Sequence, residues 1–369
     1  MIKILFFLET LEAGGAEKVL RDLVNNMDQT RFDITVQTVW PCDAKALLAP
    51  GIRYRSVFSA KNEANRFRYR AEAEAGLFYS LHIKGDYDIE CAYIEMGPTK
   101  VMSSSTNRSA KKLAWVHCDL SGRITDRDSY VKKTEKQYWK FDEVICVSRT
   151  VEEGFRKLFG AAATTRVLYN VFEDAVIREK AQLPLGFARE GDAPVLAAVG
   201  RLSPEKGYDR LLRASSRLHA EGLDHSVWLI GDGPEREALE QLAKELNIDD
   251  CVRFFGFQSN PYPLIRAADV GVCSSLFEGF STFAVECMIL GKPFVTTECS
   301  GMREILSDSE YGLITDNEEA ALYEGLKKMV ADTQLRAEFS KKAKQRGCAF
   351  STSNLVKETE DYFIKLAGN

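Results

Sequence analysis

At 369 residues the chain is long for one hydrophobic core, and two domains of roughly 150–200 residues each are expected. Its 28% charged residues, net charge of −5 and lack of low-complexity tracts exclude a disordered chain and a strongly basic nucleic-acid binder. Residues 1–170 carry 26 Lys and Arg against 22 Asp and Glu, the remainder 23 against 32, so only the first half suits an anionic membrane surface.

The opening MIKILFFLETLEAGG reads as a first strand, because Glu9 and Glu12 interrupt an apolar run already too short for a secretion signal. Further β-rich runs at 32–39, 52–58, 88–94, 112–117, 144–148 and 166–171 alternate with helical spacing such as Val19, Leu20, Leu23, Val24 and Met27. Strand and helix in alternation predict an α/β fold with a parallel sheet covered on both faces, whose ligands collect at the C-terminal strand ends. At the first such end, Gly14 and Gly15 precede a helix start, which suits either a phosphate or a plain turn. The adjacent glycines do not form the GxGxxG dinucleotide fingerprint.

Segment 61–84 mixes Lys61, Arg66, Arg68 and Arg70 with Phe67, Tyr69, Phe78 and Leu81, compatible with a solvated helix or an interfacial one. Asp86-Tyr87-Asp88 has a metal-binding spacing but precedes a strand and follows Gly85, and reads as a turn. His117, in WVHCD, lies at the outgoing end of the strand 112–117, either in a ligand site or as a buried structural residue.

Residues 171–192 lose strand periodicity and are the expected interdomain linker. Six more strands follow at 194–199, 226–230, 252–257, 270–273, 293–297 and 312–315, with clear helices at 208–220 and 236–246, so the second half is another doubly wound domain. Its first strand ends in Gly200-Arg201-Leu202-Ser203-Pro204-Glu205-Lys206-Gly207, whose Arg201 and Lys206 can converge on one diphosphate as a fork and a point charge. On that reading Lys206→Ala leaves the fold nearly untouched. Glu278-Gly279-Phe280-Ser281-Thr282 leads from the fourth strand into a helix carrying Glu286, which sets two carboxylates beside the anion-binding start of a helix. The nine cysteines are dispersed, with no CxxC pair and no histidine at metal spacing, which predicts reduced thiols, a cytoplasmic setting and no structural zinc. No stretch approaches the ~20 apolar residues of a membrane-spanning helix.

In order along the chain, GGAEKVL, WVHCD, GRLSPEKG, IGDGP and EGFSTFAVE resemble the retaining family 4 glycosyltransferases. The resemblance implies the GT-B fold: two doubly wound, Rossmann-like α/β domains facing an interdomain cleft. An acceptor-binding domain would span 1–175, a nucleotide-sugar-binding domain 193–350, and a C-terminal helix in 351–369 would return to the N-terminal domain. It implies catalytic roles for Glu278, by the sugar hydroxyls, for His117, which contacts the donor sugar, and for Arg201 and Lys206 on the donor diphosphate. Donor binding would also involve Gly14, Gly15, Gly231, Gly233, Phe257, Gly279, Phe280, Ser281, Thr282 and the ribose-binding Glu286. The implied donor is a nucleotide sugar, with UDP expected, and the acceptor a glycan or polyprenyl-diphosphate-linked glycan in bacterial surface polysaccharide synthesis. No cofactor or metal is expected, since fixed cations neutralise the diphosphate, and no nucleic acid. Contact with the inner face of the membrane is a further expectation. A nucleotide-sugar epimerase of the same fold, or a non-catalytic transferase subunit, is the alternative.

Overall fold

The computed structural model describes residues 1–12, 14–160, 163–189 and 191–368. Ala13 in the loop after the first strand, Glu190 in the expected linker and Asn369 at the chain end therefore lie outside the described residues. The chain divides into two compact units, Met1–Phe172 with Thr352–Asn369, and Glu173–Ser351.

In the first unit seven strands form one parallel sheet: β1 (Ile2–Leu8), β2 (Phe32–Thr38), β3 (Arg53–Ser56), β4 (Ile89–Ala92), β5 (Lys111–Val116), β6 (Glu143–Cys146) and β7 (Thr165–Val167). Their order is β3-β2-β1-β4-β5-β6-β7, so chain order reverses between β1 and β4. β1 is central and buried from Ile4 to Leu8, which explains why FFL shows no alternation: both faces are covered. Asp88, in the turn before β4, accepts the Lys3 N–H through Oδ2 at 2.8 Å, so it secures the start of β1.

The second unit repeats the plan with β8 (Val195–Val199), β9 (Ser226–Ile230), β10 (Val252–Gly256), β11 (Val270–Cys273), β12 (Phe294–Thr297) and β13 (Leu313–Thr315). These are parallel in the order β10-β9-β8-β11-β12-β13, with the reversal between β8 and β11. The helix Thr282–Leu290 is apolar on every side and is buried continuously from Phe283 to Ile289, Glu286 included. Within the expected linker the structure places a helix instead, Asp174–Lys180. Its Ile177 is buried and the Arg178 guanidinium donates to the Ile289 carbonyl at 2.6 Å, so this segment belongs to the second unit. Charge density hid it, because only one face is apolar.

The last helix, Thr352–Ala367, packs on the first unit. Phe363 is fully buried, with its ring against Phe6, Phe32 and Trp115 at centroid distances of 6.1, 6.4 and 6.3 Å. Glu360 Oε1 accepts the Asp28 N–H at 2.6 Å, and Tyr362 donates to Glu143 Oε2 at 2.8 Å. Truncating Phe363 removes an aromatic anchor from three partners, so Phe363→Ala is expected to cost the first unit about 3–5 kcal/mol. Hydrogen exchange checks it: amides of β1 and the last helix lose protection, while those of β8 and β11 keep theirs.

Candidate active site

Both sheets reverse strand order once, and in open α/β sheets the crevice at that reversal is where ligands bind. In the second unit the loops leaving β8 and β11 meet there. The first carries Arg201 and Lys206, the second Glu278, and they are locked together by main-chain groups. Leu276 N–H donates to the Glu205 carbonyl at 2.8 Å, and Ser274 Oγ donates to the Lys206 carbonyl at 2.8 Å. Gly207 has φ of +58°, and a Cβ there would lie 2.4 Å from the Ser274 carbonyl oxygen, so only glycine lets the loops close up.

On this base Lys206 Nζ sits 2.7 Å from Glu278 Oε1, with their side chains 23% and 12% exposed. The same carboxylate oxygen accepts from Ser275 Oγ at 2.7 Å. Burial works against the Lys206 ammonium, but the charge of Glu278 opposes it and holds the amine above its ordinary range. Arg201 is exposed, and its guanidinium makes no hydrogen bond or ion pair among the described residues. The two cations thus share a loop but differ in state: Lys206 is engaged by a carboxylate, Arg201 faces solvent.

Glu286 is buried within its helix and accepts from Tyr262 Oη at 3.3 Å. Ser281 caps that helix, its Oγ taking the Ala284 N–H at 3.3 Å, while Thr282 is half-buried at the first turn. Phe280 turns inward, its ring edge-on to Phe350 at 6.4 Å. It therefore contributes packing rather than a side chain offered to a ligand. Gly279 is buried beside it, its carbonyl oxygen 2.7 Å from where a Cβ on Gly301 would stand.

Gly231 and Gly233 have an explanation that spacing alone did not suggest. A Cβ on Gly231 would lie 1.9 Å from the Gly200 carbonyl oxygen, and one on Gly233 2.3 Å from that of Leu202. The turn after β9 is packed against the loop after β8, and Leu202 N–H to the Asp232 carbonyl at 3.0 Å ties them. Phe255 packs on Trp228 and Phe187, whereas Phe257, two residues on, is 77% exposed and available for stacking.

The first unit places Gly14, Gly15 and His117 at the C-terminal ends of β1 and β5. Gly14 has φ of +123° and precedes the helix Gly15–Asn26; a Cβ there would strike the Glu17 carboxylate. Burial raises the Glu17 carboxyl above its usual range. His117 Nε2 lies 2.8 Å from the Tyr93 carbonyl, which makes Nε2 the proton-bearing nitrogen and leaves Nδ1 as an acceptor. Its backbone N–H donates to Glu95 Oε2 at 3.2 Å, and burial lowers the imidazole pKa, with Glu95 and the Tyr93 carbonyl acting the other way. A neutral, fixed imidazole can accept a hydroxyl proton but cannot act as a cation. Next to Glu95, Met96 holds a φ of +70°, a backbone state rare outside glycine. Glu95, Ser275, Arg210 and Asn317 are site-supporting residues that sequence reading missed. Arg210 joins Asn317 Oδ1 at 2.9 Å, and Asn317 Nδ2 holds the Leu276 carbonyl at 2.8 Å, links between positions too distant for any local pattern to reveal.

The model of the group 1 glycosyl transferases matches residues 184–346, nearly the whole second unit. The lipopolysaccharide core biosynthesis glycosyltransferase LpsE of Rhizobium meliloti is 34% identical over 336 residues, 89% of each chain. The chain belongs to the group 1 glycosyltransferases. A Campylobacter jejuni relative is 32% identical over 200 residues, 54% of this chain and 53% of its own. It is an N-acetylgalactosaminyltransferase acting on an N-acetylgalactosamine-N,N'-diacetylbacillosaminyl-diphospho-undecaprenol. This glycosyltransferase thus spans about half the length of that relative in the match. An Anabaena structure, HepE with UDP and glucose, superimposes with a TM-score of 0.78 at 21% identity, covering 99% of this chain and 100% of that one. WaaG, a glycosyltransferase involved in lipopolysaccharide biosynthesis, superimposes with a TM-score of 0.68 at 17% identity, over 98% and 99%. The fold of this glycosyltransferase is GT-B, with two doubly wound units and a C-terminal helix packed on the first.

The ion pair revises the expectation that Lys206→Ala leaves the fold untouched. Removing one partner leaves the Glu278 carboxylate half-desolvated, so a loss of about 1–3 kcal/mol is expected. Adding Glu278→Gln to Lys206→Ala should restore much of it. Urea denaturation of the two variants checks both steps; equal stability of Lys206→Ala and wild type would show the pair to be energetically idle.

Proposed function

We propose that the protein is a retaining glycosyltransferase that moves a hexose or N-acetylhexosamine from a nucleotide sugar, with UDP as carrier, to a glycan or polyprenyl-diphosphate-linked glycan. The observation that carries this reading is the convergence of Lys206, Glu278 and Ser275 at the β8/β11 reversal, with Arg201 exposed on the same loop. The acceptor class is supported by the relatives: one acts in lipopolysaccharide core synthesis and another on an undecaprenol-linked glycan. A neighbouring structure held with UDP and glucose supports the donor.

In this mechanism the diphosphate leaves the anomeric carbon while the acceptor hydroxyl attacks from the same face, so charge develops chiefly on the departing phosphate. Stabilising that charge is the main catalytic demand, and Arg201 and Lys206 supply it as a fork and a point charge. Glu278 then exchanges its hold on Lys206 for the sugar hydroxyls. Glu286 accepts from the ribose, and exposed Phe257 stacks on the base. His117, neutral with Nδ1 as acceptor, orients the sugar. Gly14, Gly15 and the start of the helix Thr282–Leu290 serve the donor's phosphates and sugar. With both cations built into the chain, no metal is required for the step. The protein acts in the cytoplasm, at the inner face of the membrane that carries its acceptor; no helix of the described residues is long and apolar enough to cross one.

The two glutamates divide the work, which gives the experiment. Glu286 serves nucleotide binding, so Glu286→Gln should weaken UDP in calorimetric titration by about tenfold, the loss of one charge-assisted hydrogen bond. Glu278 restrains Lys206 in the free protein, so Glu278→Gln should keep or tighten UDP and lower kcat instead. Equal loss of UDP affinity in both variants contradicts this division. Independently, initial rates should survive EDTA, and Asp86→Asn with Asp88→Asn should remain active if it folds. Abolition by chelation with rescue by magnesium or manganese would overturn the metal-free step.

A further inference from the structure

At the end of the second sheet away from the donor loops, where β11 and β12 begin, four basic side chains line one cavity of about 680 Å³: Arg178, Arg266, Lys292 and Lys344. No carboxylate lines it, although residues 171–369 hold 32 Asp and Glu against 23 Lys and Arg. The C-terminal end of the helix Thr282–Leu290 forms one wall. Ser340 Oγ donates to the Gly291 carbonyl at 2.8 Å and fastens the helix Thr333–Gly347 across that end. Gly291 has φ of +66°, and a Cβ there would lie 2.3 Å from Lys344 Cγ, so the missing side chain gives the Lys344 stem its bed. Lys292 Nζ donates to the Ala268 carbonyl at 2.8 Å, and Arg266 donates to that of Ala181 at 3.1 Å.

These tethers fix the stems without using up the charges. Arg178, Arg266 and Lys292 each give one N–H to a carbonyl and keep others, and Asp174 stands 3.9 Å from Arg178 Nε. Lys344 makes no hydrogen bond or ion pair among the described residues. Like charges gathered in one cavity repel one another, an effect felt at Lys292. Burial pushes its amine below the ordinary range, with Arg266 and Arg189 acting the same way and Asp269 and Cys287 against them. An anion in the cavity would relieve that repulsion. Beside the cavity, a groove of about 410 Å³ shares Gln182 and Arg266 with it and is otherwise apolar, walled by Leu183, Pro184, Leu185 and Pro263. Leu183 is 54% exposed there. The ring of Phe187 in the same groove is already packed on Trp228 and Phe255, so the groove offers aliphatic surface rather than a free ring for a base.

We propose that cavity and groove form one site for a phosphate-bearing lipid, its phosphate among Arg178, Arg266, Lys292 and Lys344 and the start of its hydrocarbon chain in the groove. The two guanidinium groups act as forks and the two ammonium groups as point charges on the phosphate oxygens. The division of the site selects this class of ligand. A free phosphate fills the cavity but leaves the apolar groove in water, and a zwitterionic head group brings a further cation among four. The site is independent of the donor-site reading: it lies at the opposite ends of β11 and β12 and shares no residue with the Lys206–Glu278 loops.

Calorimetric titration of the full chain with dihexanoyl phosphatidic acid, a lipid short enough to stay monomeric, tests this. Wild type should bind it about tenfold more tightly than inorganic phosphate, through the buried part of the chain, and should leave dihexanoyl phosphatidylcholine unbound. Lys344→Gln keeps the stem over Gly291 and removes the charge, and should weaken phosphatidic acid by about tenfold. Leu183→Ser should weaken the lipid by about threefold and leave inorganic phosphate unchanged. UDP should not displace the lipid. Wild type that does not bind the lipid overturns the proposal, as does equal affinity for lipid and inorganic phosphate, or displacement by UDP. A folded Lys344→Gln or Leu183→Ser that binds the lipid like wild type overturns it too. Circular dichroism checks folding; should Lys344→Gln not fold, Leu183→Ser and the lipid-to-phosphate ratio in wild type decide.

Discussion

Everything in the second unit that matters for chemistry depends on one ion pair, Lys206 Nζ to Glu278 Oε1 at 2.7 Å, drawn between loops 72 positions apart. At an effective dielectric of about 20, two unit charges near 4 Å attract by roughly 4 kcal/mol, a gain that desolvation largely offsets. The pair is therefore less a source of stability than a way of holding a cation ready in a half-buried place. Burial works against the Lys206 ammonium at this depth, and the charge of Glu278 opposes that effect. On the proposed function, the carboxylate holds the place that the donor's phosphate would take.

The scaffold explains why the pair can be kept open to exchange. Gly207, Gly231 and Gly233 let three loops pack main chain to main chain, and Arg210 and Asn317 fasten the β11 loop from behind. Rigidity is thus supplied by main-chain contacts together with Arg210 and Asn317, a frame on which, in the proposed function, Lys206, Glu278 and Arg201 change partners. The buried helix Thr282–Leu290 completes this arrangement, because its one charged residue, Glu286, is positioned by packing on all sides.

The sheets were legible in the sequence, since the inner parallel strands, buried on both faces, appear as short apolar runs; all thirteen strands overlap runs read from the sequence, β7 by Arg166 and Val167 alone. The family, too, could be read from five motifs. What could not be read was tertiary. The helix Asp174–Lys180 presents a single buried residue, too little for its periodicity to stand out from a linker. Phe280 sits inside a binding motif, yet its ring belongs to the core with Phe350. The glycines of the turn after β9 sit in a ligand-contact motif, but their tightest constraint is the neighbouring loop. The pairing of Lys206 with Glu278, two residues assigned to different parts of a donor, emerges only when β8 and β11 are placed side by side.

The central claim is that Lys206 trades Glu278 for a diphosphate. A crystal structure of the protein with UDP tests it most directly. The account predicts phosphate oxygens within hydrogen-bond distance of Lys206 Nζ and Arg201, with the ribose hydroxyls on Glu286. UDP bound elsewhere, with Lys206 still held only by Glu278 and Ser275, would contradict it.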